Sequence, residues 1–289
     1  MPTHQVALLS LYAAIVVLSI NGVLAKAIPL GAVTITHIRC VIAALALAVF
    51  ALQQKQTLRL LHRNHYGAVL ILGILMATHW IAFFKSMQVS TVAIGMLAHY
   101  SHPVLTVIFE PLLNRKAPAL ADLFAGILVF TGIVLMVPDW TFGGDALLGV
   151  LLGLVSAVAF SARNIFQRRW VSGEPGSSVM FYQMVVVALV TLPAIVPLNG
   201  YAQLVQASSE TWLMLLALGV VTTALSHTLL AVSLRALSAK TVGLISCLQP
   251  PIAIFLGWLF LNETPQLITF AGGALILVAA IYESTKSKR

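Results

Sequence analysis

The chain has 289 residues, of which 60% are hydrophobic and only 8% are charged. That composition excludes a water-soluble fold, which carries roughly 25% charged residues to cover its surface. The net charge of +8 sits in short segments between apolar runs, with no aromatic-basic surface, so it reads as a topology signal and not as a nucleic-acid footprint.

In chain order the apolar runs are 6–25, 32–52, 66–86, 91–112, 120–137, 146–167, 179–197, 212–233, 241–261 and 266–282. Backbone groups in hydrocarbon must be satisfied within their own segment, so each run is expected to be a helix. At ~20 residues per crossing the runs consume nearly the whole chain. The expected fold is an all-α polytopic membrane protein with ten transmembrane helices. The first run lacks a basic flank and a small-residue cleavage site, and reads as a span and not a signal peptide. Turn chemistry marks the breaks at Pro29-Leu30-Gly31, Pro138-Asp139, Gly143-Gly144, Glu174-Pro175-Gly176, Asn199-Gly200 and Glu263-Thr264-Pro265. Cys40 and Cys247 fall inside runs and are expected to be free, buried thiols.

Basic residues set the orientation. With the N-terminus cytoplasmic, the inner side holds Lys55, Arg59, Arg63, Arg115, Lys116, Arg168, Arg169, Arg235, Lys240, Lys286, Lys288 and Arg289. The outer side holds only Lys26 and Lys85. This positive-inside bias predicts an even number of spans with both termini cytoplasmic, in the plasma or inner membrane.

The chain also resembles itself. An offset of 148 residues carries His79 onto His227, Gly95 onto Gly243, Pro103 onto Pro251 and Asn114 onto Asn262. An offset of 143 carries Asn21 onto Asn164 and Lys26 onto Arg169. The unit is five spans, giving repeats at 1–140 and 141–289. Five is odd, so the second copy is inverted relative to the first. Two inverted five-helix repeats are an architecture of secondary transporters, with the solute site at the midplane.

The segments carrying these matches also resemble a known family. His79-Trp80-Ile81-Ala82-Phe83-Phe84-Lys85-Ser86, Val92-Ala93-Ile94-Gly95 and Pro103 are similar to the third and fourth spans of EamA-type proteins of the drug/metabolite transporter superfamily. Ala239 to Gly243, Pro250-Pro251 and Leu259 to Pro265 are similar to the second-half counterparts, and Asn21 to Lys26 followed by Arg39 to the first two spans. The resemblance implies ten helices, two repeats, cytoplasmic termini, a central solute cavity and export of small metabolites such as amino acids, nucleotide-related compounds or drugs; no cofactor is expected. The family usually has a Glu just after the fourth span. Asn114-Arg115 stands there instead, while Glu263 occupies the matching place in the second half.

Polar residues at membrane depth are costly, so they are the functional candidates. His99, His102, Thr106 and Glu110 are spaced to share one helix face, and Pro103 is expected to bend that helix. His79, Trp80, His99, Tyr100, His102, Arg39 and Gln249 are the candidate solute-binding residues. Arg39 either attracts a solute carboxylate or is a structural arginine; Trp80 either stacks on a solute or anchors at the interface. Glu110, Arg163 and His227 are the candidates for gating or proton coupling. Glu110 and Arg163 lie at similar depth and are expected to pair across the halves as an inner gate. The Gly149/Gly153 pair reads as close helix packing.

The expected partners are a small-molecule solute and the lipid bilayer, with protons a candidate coupling ion, no nucleic acid, and a monomer or homodimer as the assembly. No metalloprotease, P-loop or nucleophile-elbow motif occurs, so an enzyme is not expected. A channel or scaffold is the competing reading, although no selectivity-filter sequence is present.

Overall fold

The computed structural model describes residues 3–136, 144–234, 236–237 and 239–286. The turn residues 137–143, and the Arg235, Lys288 and Arg289 of the charge count, lie outside the described residues. Among the described residues there are helices and no strands. The helices are α1 (His4–Ala27), α2 (Ala32–Gln53), α3 (His65–Val89), α4 (Val92–His99), α5 (His102–Leu113), α6 (Leu120–Met136), α7 (Asp145–Trp170), α8 (Gly176–Ile195), α9 (Gly200–Val205), α10 (Ser209–Leu216), α11 (Ser226–Leu234), α12 (Ala239–Ser246), α13 (Gln249–Leu261) and α14 (Leu267–Lys286). A π-helical segment, Ala217–Leu225, joins α10 to α11.

Among the described residues, seven helical segments are long and apolar enough to cross a membrane, counting α4–α5 as one and α10–α11 as another; Leu120–Leu135, Gln249–Leu261 and Leu267–Tyr282 are shorter apolar helices. Large apolar side chains such as Leu9, Phe124, Phe130, Leu267 and Val278 are exposed. A surface of that kind is stable against lipid tails and not against water.

The ends carry the local chemistry the sequence suggests. Thr91 Oγ1 accepts from the Ile94 N–H at the start of α4, and Ser208 Oγ from the Thr211 N–H at the start of α10. Asn199 and Asn262 adopt φ of 52° and 55°, the left-handed conformation asparagine tolerates at a helix boundary. The Gln88 amide donates to Ala25 O and Leu30 O, bracing the turn between α1 and α2.

Helices of the two sequence halves interleave. α3 lies along α7, α6 along α14, α2 along α8, and α1 along both α11 and α13. Gly149 and Gly153 let α7 approach α3 and α4. A methyl at Gly153 would meet Ala98 Cβ at 2.5 Å, an overlap only a helix shift could relieve.

Two spans are discontinuous. Between α4 and α5 the chain turns at Tyr100-Ser101, and between α12 and α13 at Cys247-Leu248. Both breaks precede proline, at Pro103 and at Pro250-Pro251. A proline nitrogen cannot donate to the carbonyl four residues back. His99 O and Ser246 O are thereby released from the helical ladder in the core of the bundle.

Candidate functional site

The released carbonyl of Ser246 has a partner. Tyr100 Oη donates to it at 2.8 Å, and lies 2.9 Å from Gln249 Oε1. Tyr100 sits in one break and Gln249 opens the helix after the other, so the two discontinuous spans meet at their interruptions. Ser19 Oγ on α1 donates to Gln249 O at 3.2 Å, fixing the same junction from a third helix.

Beside this junction lies a histidine cluster. Ser156 Oγ, on α7, stands 2.8 Å from His79 Nδ1 and 3.0 Å from His99 Nδ1. The His79 and His99 rings are 4.8 Å apart, and those of His99 and His102 4.9 Å. Phe160 packs against all three imidazoles, and Phe83 against His79 and His99. One hydroxyl can donate to only one of two imidazoles and accept from the other, so Ser156 links the tautomers of His79 and His99. Ser161, five residues further along α7, donates to His102 O. Thr106, read from sequence as part of the polar stripe, turns its hydroxyl back to the same carbonyl.

Arg39 is 2% exposed. Its Nε donates to Thr223 Oγ1 in the π-helical segment at 3.0 Å, and its guanidinium carbon lies 4.1 Å from the Trp80 ring centroid and 5.2 Å from that of Phe84. Trp80 is thus buried against a cation and is not an interfacial anchor. Arg163 donates through Nε to Gln183 Oε1 at 2.9 Å and through Nη1 to Asn164 Oδ1 at 3.0 Å. His227, on α11, is half-buried and within electrostatic range of both Arg39 and Arg163.

The expected Glu110–Arg163 pair is not formed. Glu110, near the end of α5, binds Arg168 in the last turn of α7. The residues 163 and 168 are five apart, so they leave α7 on different faces. Only Arg168 is at the helix end, where its long side chain reaches a carboxylate on the neighbouring helix.

An ion pair also closes the opposite end of the bundle. Lys26 Nζ, at the end of α1, lies 2.6 Å from Glu263 Oε1 just past α13, and donates to Ser90 O. Glu263 Oε2 accepts the Val92 N–H at the start of α4, a helix terminus that favours negative charge. Lys26 and Glu263 are thus joined, a pairing that the sequence reading does not contain.

A further cluster was not foreseen. Glu174, in the connection before α8, accepts N–H bonds from Leu61 and His62 and stands 3.1 Å from His62 Nδ1 and 2.7 Å from His65 Nδ1. Burial alone would raise its pKa, but the Leu61 amide, the two imidazoles and the His62 amide outweigh that and hold it at about 2. This carboxylate staples the connection after α2 to the connection after α7, at the end of the bundle where Arg168 binds Glu110. A cavity of about 350 Å³ opens there, lined by Asn164, Gln167, Arg168, Glu174 and Val179. The signal present in sequence was a His-x-x-His spacing next to a basic loop, with the only acid of the facing connection placed 109 residues away.

Against this geometry the comparisons with known proteins are decisive for family. The model of the EamA-like transporter family matches residues 5–137 and again 147–284. The chain belongs to the EamA-like transporter family. It is therefore a multi-pass membrane transporter, as its apolar helices require.

Among relatives of this EamA-like chain is the pseudopaline exporter CntI of Pseudomonas aeruginosa, 27% identical over 232 residues, spanning 79% of this chain and 78% of that protein. A probable biotin transporter of the same species is 27% identical over 235 residues, 77% of this chain and 79% of that one. The uncharacterized transporter YxxF of Bacillus subtilis is 26% identical over 218 residues, 71% of this chain and 68% of that one. A solved crystal structure with a TM-score of 0.60 and 19% identity covers 97% of both chains and shares the fold.

Proposed function

We propose that this EamA-like protein is a secondary carrier that exports small metabolites, such as amino acids or related compounds, across the inner membrane by alternating access between two inverted five-helix repeats. The observation that carries the reading is the junction of two interrupted helices through Tyr100, Ser246 and Gln249. Interrupted spans present free backbone carbonyls and polar side chains where a solute can bind, and they bend at the break.

Three further features support it. The family model fits the chain twice. The packing partners stay the same when the halves are exchanged: α6 with α14, α2 with α8, α4 with α13, and α3 with α7 answered by α1 with α11. Each end has its own closure, Lys26–Glu263 at one and Arg168–Glu110 at the other. Ten spans follow when α4–α5, α10–α11 and α12–α13 are each counted as one crossing, with repeats at 1–140 and 141–289 and both termini cytoplasmic. In this reading His79, Trp80, His99, Tyr100, His102, Arg39 and Gln249 form the solute site. The Arg168–Glu110 pair, and not Glu110–Arg163, is the inner gate, and Lys26–Glu263 the outer one. The relatives named as exporting pseudopaline and transporting biotin are in keeping with a metabolite solute.

The test is exchange of a solute panel in proteoliposomes, with and without a pH gradient. Saturable solute movement is expected. Steady ion current without solute movement would replace the carrier by a channel.

A further inference from the structure

The proposal rests on the carrier reading above and concerns what the carrier holds. Arg39 and Arg163 are both inside the helical bundle. Arg39 lies seven residues after the start of α2, and Arg163 seven before the end of α7, each ~10 Å along its helix. The start of α2 lies at the Lys26–Glu263 end, and the end of α7 at the Arg168–Glu110 end. One arginine therefore stands inside each closure.

Neither has a carboxylate partner among the described residues. The partners of Arg39 are the Thr223 hydroxyl and two aromatic faces. Those of Arg163 are the amide oxygens of Gln183 and Asn164. The ion pairs among the described residues all lie at the two ends of the bundle: Lys26–Glu263, Arg168–Glu110, and Glu174 with His62 and His65. The acids with described side chains, Asp122, Glu110, Asp145, Glu174, Glu210 and Glu263, all sit at helix ends or in connections.

A buried cation is ordinarily paired, since desolvation is otherwise uncompensated. Here two guanidiniums are held by neutral acceptors. His79 and His227 each lie within electrostatic range of both. The interior between the closures thus has fixed positive charge, and none of the acids with described side chains lies there to balance it. Arginine's planar fork binds a carboxylate through two parallel hydrogen bonds. The cavity at the Arg168–Glu110 end is lined by Asn164 and Gln167, and Asn164 is the residue whose amide oxygen Arg163 holds. Phe83 and Phe160 pack against His79 and His99 in the interior between the closures.

We infer that the transported solute is an organic carboxylate anion, received by Arg163 at one end of the path and by Arg39 at the other. A net cation is excluded by the same two charges that attract the anion.

The experiment uses the purified full-length protein in detergent. Its melting temperature is measured with acetate, benzoate and succinate against acetamide, benzamide and succinamide, at constant ionic strength, with inorganic phosphate and chloride as further arms. The expected result is a rise of at least ~2 °C with carboxylates only, retained in R39K/R163K and lost in R39Q/R163Q. Equal stabilisation by the amides, or a carboxylate effect that persists in R39Q/R163Q, overturns the proposal. Stabilisation by phosphate and not by carboxylates overturns it in favour of a phosphate-bearing solute. If the glutamine variant does not fold, the wild-type comparison of each acid with its amide still decides. Carboxylate-specific stabilisation without flux in proteoliposomes would keep this site and remove the carrier reading. Undiminished flux of neutral or cationic solutes in R39Q/R163Q would do the reverse.

Discussion

Tyr100 and Gln249 lie 149 positions apart in sequence and 2.9 Å apart through a hydrogen bond. Each belongs to an interrupted span, so one contact ties the two interruptions together. The Tyr100 hydroxyl also reaches the carbonyl that Pro250 cannot serve. Tyr100→Phe removes the one hydroxyl that faces both Ser246 O and Gln249 Oε1 and leaves a buried carbonyl unserved, with an expected stability loss of about 1–3 kcal/mol. Solute exchange in proteoliposomes is expected to fall more steeply than the melting temperature, because in the proposed carrier the hydroxyl holds the junction of the two interrupted spans.

Ser156→Ala separates His79 from His99 without removing either ring. Two hydrogen bonds at 2.8 and 3.0 Å are lost, at an expected cost of about 1–3 kcal/mol. Nitrogen-15 spectra of the imidazoles would show the tautomers of His79 and His99 no longer fixed relative to one another. Unchanged spectra would place the two rings under independent control.

Glu110 and Arg168 should be coupled, and Glu110 and Arg163 should not. Arg168 is 73% exposed, so the coupling in stability is small, about 0.2–1 kcal/mol. A double-mutant cycle on Glu110→Gln and Arg168→Gln is expected to show it, while Glu110→Gln and Arg163→Gln give additive effects.

Glu174 gives the pH dependence. Its carboxylate is held below the usual value, near 2 against an ordinary 4.5. The folded state therefore prefers the ionised form, and the stabilisation is complete above about pH 4.5 and lost as pH falls towards 2. The melting-temperature difference between the wild type and Glu174→Gln should be constant from pH 5 to pH 7 and shrink below pH 4. A difference that grows on acidification would contradict the assignment.

What could be read from sequence was what has a period or an offset. The apolar runs, the nearness of His79 to His99, and the alignment of Pro103 with Pro251 all follow from helical spacing and repetition. The break before Pro103 falls two residues earlier than the proline, because the lost bond is the one donated back to His99. The role of Ser156 is not legible in sequence, because a serine on an apolar helix gives no sign that its hydroxyl lies between two imidazoles of other helices. Depth alone placed Arg163 beside Glu110. Choosing Arg168 instead needs the rotation of α7, which the sequence pattern does not supply. Glu174 meets His62 and His65 across more than a hundred residues and between two irregular connections, where neither periodicity nor the repeat offset applies.

The central claim is that the two ends open in turn. Hydrogen–deuterium exchange of Glu110→Gln against the wild type tests it without knowledge of the solute. Loss of the Arg168 partner should raise exchange in segments 108–116 and 166–174. The same substitution should lower exchange in segments 88–94 and 262–266 around Lys26–Glu263. Faster exchange at both ends, or a change confined to the mutated end, would contradict alternating access.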